Sequence, residues 1–271
     1  MSESDEVSPG INPAVPSVAR MYDYWLGGKD NFGADREAAE EVIRLVPGVR
    51  ELARENRAFL RRAVEHLTKV GIRQFIDIGA GLPTQENTHE VAQRIAADAR
   101  VVYVDNDPVV LAHARALLVE NSQTIAIEGD LREPKSIFDH PELAVHLDPE
   151  LPTAVLMLSV LHFITVDRDA LSVVAAVRDA LPPGSHLVIS HIYAGEMSQA
   201  DRDAGRAIYA RTSSGPVADR SLQCLTDFFS GTTLLPPGLV PVHDWRPDHP
   251  VPPRMDTGKP YVLGGVGTVD R

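Results

Sequence analysis

Short runs of Val, Ile and Leu alternate with longer helical stretches through the middle of the chain. Five such runs follow Gly71: QFIDI, VVYVD, TIAIEG, AVLMLSV and HLVIS. Continuous apolar runs of this length are typical of strands buried on both faces of a parallel sheet. The stretches between them have the length of crossover helices, which connect parallel strands with a right-handed turn. The pattern therefore predicts a doubly wound α/β unit.

The last part of the chain departs from this alternation. Residues 196–230 contain polar, helix-like stretches, which we interpret as a helical insertion. The runs GLVPVHDW and YVLGGVGTV follow, joined by a Pro-rich loop with no helix between them. Strands joined without a crossover helix pair antiparallel. We therefore expect a mostly parallel sheet of seven strands with an antiparallel closing strand and helices on both faces.

The segment before the sheet has a helical pattern. From Asp35 to Gly71 apolar positions recur three and four residues apart, with a break at Pro47 and Gly48. This spacing predicts two helices, with Asp35 as the N-cap of the first and Gly71 as the stop of the second. The acidic, Ser- and Pro-rich start has no such period. We expect a flexible tail over 1–17, an N-terminal lid and helical segment over 18–71, and the sheet domain over 72–271.

Composition narrows the range of partners. The chain has 271 residues with 26 Lys and Arg against 38 Asp and Glu, a formal net charge of −12. Such a charge opposes binding to nucleic-acid phosphates, so we expect no nucleic-acid partner and favour a small-molecule substrate. No apolar run approaches the roughly 20 residues that cross a bilayer, so we expect no membrane partner and a cytoplasmic location. The oligomeric state stays open.

The strongest chemical signal is the run from Phe75 to Gly81, a strand that ends in Asp77, Gly79 and Gly81. A glycine turn at the end of a strand lets a ligand lie against bare backbone. A dinucleotide-binding turn would have a third glycine where this chain has Thr84, which weakens an interpretation as an NAD site. The carboxylate of Asp77 suits a cationic ligand group, directly or through water.

Two further acidic residues end the next two strands. Asp105 closes VVYVD, where a carboxylate of this fold accepts hydrogen bonds from both hydroxyls of a ribose. Asp130 follows TIAIEG and suits the amino group of an adenine, together with the backbone of Leu131. Asn106 and Ser159, also at strand ends, complete the candidate contacts along this edge. The sequence therefore predicts an adenosine-containing ligand.

The motifs FIDIGAG, VVYVDND, EGDL and LMLSVLHFI, in this order, resemble those of class I S-adenosylmethionine-dependent methyltransferases. The runs ARMYDYWLGGKDNFGADREAAE, DFFSGTTLLPPGLVPVHDWRP and YVLGGVG resemble, more narrowly, a bacterial S-adenosyl methyltransferase family. The resemblance covers nearly all of the chain from about Pro16 onward. It implies a Rossmann-like sheet and binding of S-adenosyl-L-methionine by Asp77, Gly79, Gly81, Asp105 and Asp130.

The segment from Arg20 to Phe32 is rich in aromatic and polar residues. We interpret it as a lid over the methionine end of the cofactor, with Tyr22 and Lys29 or Asn31 making polar contacts. The alternative is a set of aromatic residues that only pack helices together. Both interpretations stay open at this point.

His162 follows the fourth strand, where methyltransferase-like folds face the transferred methyl group. It is our candidate catalytic base, or else a wall of the pocket. The histidines form no convincing ligand cluster, so no metal is expected. The leading hypothesis is methyl transfer to an unidentified, small-molecule acceptor. The alternatives are a non-catalytic S-adenosylmethionine-binding regulatory or interaction module and an NAD-dependent oxidoreductase.

Overall fold

The computed structural model describes residues 12–83, 86–118, 121–249 and 260–270. Within these ranges the strands form one mixed sheet in the order β3-β2-β1-β4-β5-β8-β6, and β7 pairs with β8. Strands β1 to β5 run parallel to one another, whereas β8 is antiparallel to β5, β6 and β7. The strands are β1 (Gln74–Ile78), β2 (Arg100–Asp105), β3 (Thr124–Glu128), β4 (Thr153–Leu158), β5 (His186–Tyr193), β6 (Thr232–Leu234), β7 (Val240–Pro241) and β8 (Tyr261–Val269).

This order confirms the predicted doubly wound α/β fold with a mostly parallel sheet. An antiparallel strand between β5 and β6 also distinguishes it from the all-parallel 3-2-1-4-5-6 order of dinucleotide-binding sheets. The predicted sixth strand, GLVPVHDW, is shorter than expected. It forms only the two-residue β7 because Pro241 has no backbone N–H for the ladder, and a 3-10 helix (Val242–Asp244) follows at once. The edge strand is instead β6, whose residues were not predicted to form a strand.

Helices cover both faces of the sheet and add a layer before it. They are α1 (Val18–Leu26), α2 (Gly33–Leu45), α3 (Val49–Lys69), α4 (Thr88–Ile95), α5 (Pro108–Leu117), α6 (Pro134–Phe138), α7 (Pro141–His146), α8 (Asp167–Asp179), α9 (Gln199–Tyr209) and α10 (Leu222–Asp227). The predicted break near Pro47 separates α2 from α3, and α9 and α10 lie in the predicted insertion. None of the described helices has the length and apolarity that a bilayer crossing requires.

The start of α2 corrects one expectation. Phe32, not Asp35, is the N-cap, and Asp35 is the third residue of the helix. Its carboxylate reaches back to accept the N–H of Phe32 at 2.7 Å, which satisfies one of the N–H groups that a helix start leaves without a partner. The sequence pattern thus predicted a helix that is present, but it placed the N-cap three residues too far along the chain.

Alternate side chains of each strand enter two separate cores. On one face, Ile76, Val102 and Val155 pack with α8 and α10. On the other face, Phe75 and Val101 pack with α3, α4 and α5. A third core joins α1, α2 and α9 with the start of α3. Its buried members are Met21, Trp25, Ala38, Ala39, Val42, Val49, Ala53 and Ile208. Helix α3 thus belongs to the core of the sheet as well as to the N-terminal layer.

The predicted flexible tail falls mainly on residues 1–11, which lie outside the described residues. The described part begins at residue 12, and Ser17, the last residue of the predicted tail, is buried. Residues 12–17, which were predicted to belong to the tail, thus include a buried side chain. Asn12, Val15 and Ser17 also line a cavity at the carboxyl ends of the parallel strands.

Candidate functional site

A cavity of about 490 Å³ lies at the carboxyl ends of the parallel strands. This is where open α/β sheets bind ligands, and the volume is in the range of small-molecule sites. The N-terminal segment with α1 forms one wall and residues 213–214 of the insertion form another. The predicted site residues among its lining are Tyr22, Asp77, Gly79, Gly81, Asp105, Asn106, Asp130, Leu131 and Ser159.

The turn after β1 depends on glycine at two positions. Gly79 and Gly81 have φ values of +72° and +66°, in the left-handed region that side chains rarely adopt. A Cβ at Gly79 would lie 2.7 Å from the side chain of Val160, whereas a Cβ at Gly81 would meet no atom within 4 Å. The backbone at Gly81 is therefore open to a ligand, as the glycine turn predicts.

Asp77 is a buried carboxylate at the inner end of the cavity, with 5% of its surface exposed. Its Oδ2 accepts a hydrogen bond from the Thr88 hydroxyl at 2.7 Å. Burial raises the pKa of Asp77, and the bond from Thr88 opposes this shift only in part. Within the described part of the chain it has no cation in ion-pair contact. A buried carboxylate without a paired cation fits a cationic ligand group.

Asp105 is held in place by the backbone. Its Oδ2 accepts the N–H of Gly81 at 3.0 Å and its Oδ1 accepts the N–H of Asp107 at 2.9 Å. Burial raises its pKa, and these backbone hydrogen bonds lower it. Each oxygen retains an acceptor site. The geometry therefore links the glycine turn of β1 to the carboxylate that ends β2.

Asp130 has a more polar environment than the other two carboxylates. The guanidinium of Arg132 forms an ion pair with it at 2.5 Å, and this hydrogen bonding holds its pKa below the usual value. The Asn106 amide donates to its Oδ2 at 3.3 Å. Leu131 is buried beside it. Asp130 is thus ionised and oriented before any ligand arrives.

The N-terminal segment is fixed across the cavity by one buried carboxylate. Asp35 accepts the N–H of Ser17 at 2.8 Å and the Nε–H of Arg20 at 2.7 Å, and both partners are buried. The Ser17 hydroxyl also donates to Asp107 Oδ2 at 2.9 Å. Tyr22 donates to the carbonyl of Ala53 at 2.9 Å, and burial raises its pKa. The segment predicted to form a lid is therefore anchored by hydrogen bonds beside the cavity.

Lys29 and Asn31 lie beyond the end of α1. Gly27 ends the helix with a φ of +87°, and the chain then turns. Lys29 is exposed, and the Asn31 amide donates to Asp23 Oδ2 at 2.8 Å. Neither residue is among the described residues that line the cavity. Of Tyr22, Lys29 and Asn31, Tyr22 alone is among the described residues that line the cavity. A contact of Lys29 or Asn31 with the cofactor stays a prediction.

His162 occupies a 3-10 helix (Leu161–Phe163) directly after β4. It is buried, and its ring centroid is 5.3 Å from that of His191. Burial, together with the positive charge of Arg220 and the proximity of His191, lowers its pKa well below the usual value. The tight turn places its neighbours Phe163 and Ile164 on the cavity wall instead. Its assignment as a base stays a prediction.

A neutral hydrogen-bond network at the end of β4 was not predicted. Ser159 has a φ of +53°, which is strained for a residue with a side chain, and its N–H donates to Ser190 Oγ at 3.1 Å. Ser190 donates to Asn56 Oδ1 at 2.7 Å, and the Asn56 amide donates to the Tyr22 hydroxyl at 3.2 Å. The network joins β4, β5, α3 and α1, and three of its members, Tyr22, Asn56 and Ser159, line the cavity.

Arg57 is a second cavity residue that the sequence pattern did not single out. It lies on α3, whose sequence contains four other arginines, so no local feature distinguishes it. One sequence feature could have indicated a site on this helix: the polar residue Asn56 lies next to Arg57, on the apolar face of the helix.

Known proteins share both the sequence pattern and the fold of this chain. A family model described as S-adenosyl methyltransferase matches residues 4–270. A candidate methyltransferase from Thermobifida fusca YX is 39% identical, with a TM-score of 0.90 over 99% of this chain and 100% of that one. A DUF574 family protein from Streptomyces avermitilis MA-4680 is 38% identical, with a TM-score of 0.86 over 94% of this chain and 97% of that one. No curated protein matches the sequence.

A more distant structure shares the fold alone. The N-methyltransferase NodS from Bradyrhizobium japonicum WM9, crystallised with S-adenosyl-L-homocysteine, is 14% identical. Its TM-score is 0.51, over 93% of this chain and 100% of that one.

Proposed function

Since the chain belongs to the S-adenosyl methyltransferase family, whose cofactor is S-adenosyl-L-methionine, we propose that it transfers the cofactor's methyl group to a small-molecule acceptor. One observation carries the proposal. A single cavity is lined both by the acidic strand ends and glycine turn and by a separate wall that includes Tyr22, Ser159 and Phe163. The first set suits the cofactor and the second leaves a place for the acceptor.

The chemistry of the donor set fits this cofactor. We assign Asp105 to the ribose hydroxyls, Asp130 and the backbone of Leu131 to the adenine, and Asp77 to the ammonium group of the methionine end. The open backbone at Gly81 and the tight turn at Gly79 support the assignment, because a side chain there would be strained or would collide. Asn106, Ser159 and Tyr22 line the same cavity and complete the proposed contacts.

A small acceptor is favoured by the shape and charge of the site. The lid and residues 213–214 cover the cavity, so a large substrate would have to displace anchored segments. The net charge of −12 opposes a nucleic-acid substrate. These two observations support a small-molecule acceptor.

The proposed mechanism relies on position more than on acid-base chemistry. When bound, the cofactor supplies a methyl group that is already activated by a positively charged sulfur. The residues of the site then hold the two reactants in line and keep water out, which can lower a barrier by several kcal/mol, with about 7 to 11 as the upper range. Tyr22 stays protonated because its pKa is raised, so it shapes the wall and takes no proton. His162 stays a prediction as a base, because it is buried and is not among the described residues that line the cavity.

The experiment is isothermal titration with S-adenosylmethionine, S-adenosylhomocysteine and NAD, followed by a screen of acceptors for S-adenosylhomocysteine release. Binding of the two adenosyl ligands without NAD, and turnover with at least one acceptor, is the expected outcome. Binding without turnover across a broad screen would favour the non-catalytic module. Binding of NAD alone would overturn the proposal.

A further inference from the structure

Three arginines line the cavity, and two of them are already neutralised by carboxylates. Arg20 forms a buried ion pair with Asp35 at 2.7 Å, and Arg132 pairs with Asp130 at 2.5 Å. Arg57 differs from both. Its one hydrogen bond within the described residues is a 3.3 Å contact with the carbonyl of Glu86, and it takes part in no ion pair there. Among the described residues, most of the five N–H donors of its guanidinium therefore have no protein acceptor.

Arg57 and Asp77 face the same end of the cavity. Both also line a small side cavity of about 20 Å³, together with Gly81 and Thr88. A space of this size holds about one water molecule. The positive charge of Arg57 lowers the pKa of Asp77 against the effect of burial, so the two groups interact although they are not in ion-pair contact. A cation and an anion are thus held apart at one end of a ligand site.

We propose that Arg57 and Asp77 form a clamp for a zwitterionic α-amino acid group, with Arg57 binding its carboxylate and Asp77 its ammonium. In this site the group is the methionine end of the cofactor, so the inference rests on the proposed function. An α-amino acid carries both charges on one carbon atom, which matches two opposite charges that face one end of the site. A planar guanidinium also binds a carboxylate through two parallel hydrogen bonds, which a lysine cannot reproduce.

The affinities of three ligands distinguish binding by this clamp from binding by the rest of the site. S-adenosylmethionine carries both charges of the amino acid group, decarboxylated S-adenosylmethionine lacks only the carboxylate, and 5′-methylthioadenosine lacks both. Affinities are measured by isothermal titration. The unaltered protein should bind S-adenosylmethionine about 10- to 100-fold more tightly than the decarboxylated ligand, the range expected for hydrogen bonds between charged groups.

Arg57→Ala is the matching change in the protein. It should lower the affinity for S-adenosylmethionine by a similar factor of about 10 to 100, and it should change the affinities for the other two ligands by no more than about twofold. Arg57→Lys should recover only part of the loss because it keeps the charge without the planar fork. Arg54→Ala is the control: Arg54 lies on the same helix, pairs with Glu51 on the surface and does not line the cavity, so all three affinities should stay unchanged.

The outcomes are distinct from a failure of the proposed function. Equal affinity of the unaltered protein for the first two ligands would overturn the clamp, and this comparison needs no variant to fold. A similar loss for all three ligands in Arg57→Ala would also overturn it, because Arg57 would then act on the adenosine part or on the fold. No binding of any ligand to the unaltered protein would contradict the proposed function itself, and the clamp with it.

Discussion

Asp77 and Asp105 are carboxylates that the fold holds away from water beside a glycine turn. Burial raises the pKa of both, so each costs stability in its ionised form. The Thr88 hydroxyl and two backbone N–H groups offset only part of this cost. Strained or unfavourable features of this kind are typical of sites kept for a ligand rather than for stability.

Asp105→Ala tests the proposed ribose contact. We expect the affinity for S-adenosylmethionine and for 5′-methylthioadenosine to fall by about 1 to 3 kcal/mol each, because both ligands contain the ribose. Isothermal titration measures the loss. Asp139→Ala, which removes an exposed carboxylate outside the cavity lining, should leave both affinities unchanged. Unaltered binding by a folded Asp105→Ala protein would remove Asp105 from the site.

At the scale of the elements, two segments that line the cavity are held by buried side chains of other elements. Asp35, on α2, holds the segment predicted to form a lid through Ser17 and Arg20. Arg220, from the insertion, holds the segment after β4: it donates to the carbonyls of Leu161 and Ile164 and contacts Nε2 of His191 at 2.9 Å. The walls of the cavity thus depend on contacts made outside the cavity.

Asp35→Ala should release the lid. It leaves the buried guanidinium of Arg20 and two backbone N–H groups without their acceptor, and loss of one partner of a buried ion pair costs roughly 3 to 5 kcal/mol. We expect the free energy of local opening of α1 to fall by about 3 kcal/mol or more, measured by hydrogen exchange of its amides against those of β4. Glu37→Ala, an exposed change on the same helix, is the control. Equal protection of α1 in both variants would contradict this role.

Arg220→Met should lower the free energy of unfolding. It removes the donor from two buried carbonyls, and we expect a loss of about 2 to 4 kcal/mol in urea unfolding. Arg168→Met provides the comparison, because that guanidinium is exposed and, among the described residues, pairs only with its neighbour Asp169. If the two variants were equally stable, Arg220 would not be the attachment of the segment after β4.

At the scale of the whole molecule, stability should depend on pH through buried histidines. Burial lowers the pKa of His186 and of His191 from 6.5 to about 4. Between these two values the unfolded chain binds protons that the folded chain does not, so stability is lost as the pH falls from about 6.5 to about 4. Asp77 and Asp105, whose pKa values are raised, act in the opposite direction above about 3.8.

His186→Asn isolates one part of this dependence. His186 lies at the start of β5, at the opposite edge of the sheet from the cavity. The variant cannot take up the proton, so it should lose less stability than the unaltered protein between pH 7 and pH 5. Urea unfolding at both pH values gives the difference, and affinity for S-adenosylmethionine at pH 7.5 should not change. Parallel pH profiles of the two proteins would show that His186 does not carry the effect.

Much of the fold could be predicted because its signals are local. The apolar runs of β1 to β5 and the helical spacing of α2 and α3 are set by neighbouring residues, and the parallel order follows from the crossover lengths. The weak points were short elements: β6 is only three residues long, and Pro241 interrupts β7. Strands of two or three residues have too few positions to show a period.

By itself the sequence determined which residues end the parallel strands, and hence that Asp77, Asp105 and Asp130 meet at one edge, because the carboxyl ends of parallel strands always do. Only the tertiary structure decided the rest of the site. Asn56 meets Ser190 across 134 positions, Arg57 reaches the end of β1 from α3, and His162 turns into the core. Such contacts depend on how helices pack on the sheet, and the identities of neighbouring residues do not specify that.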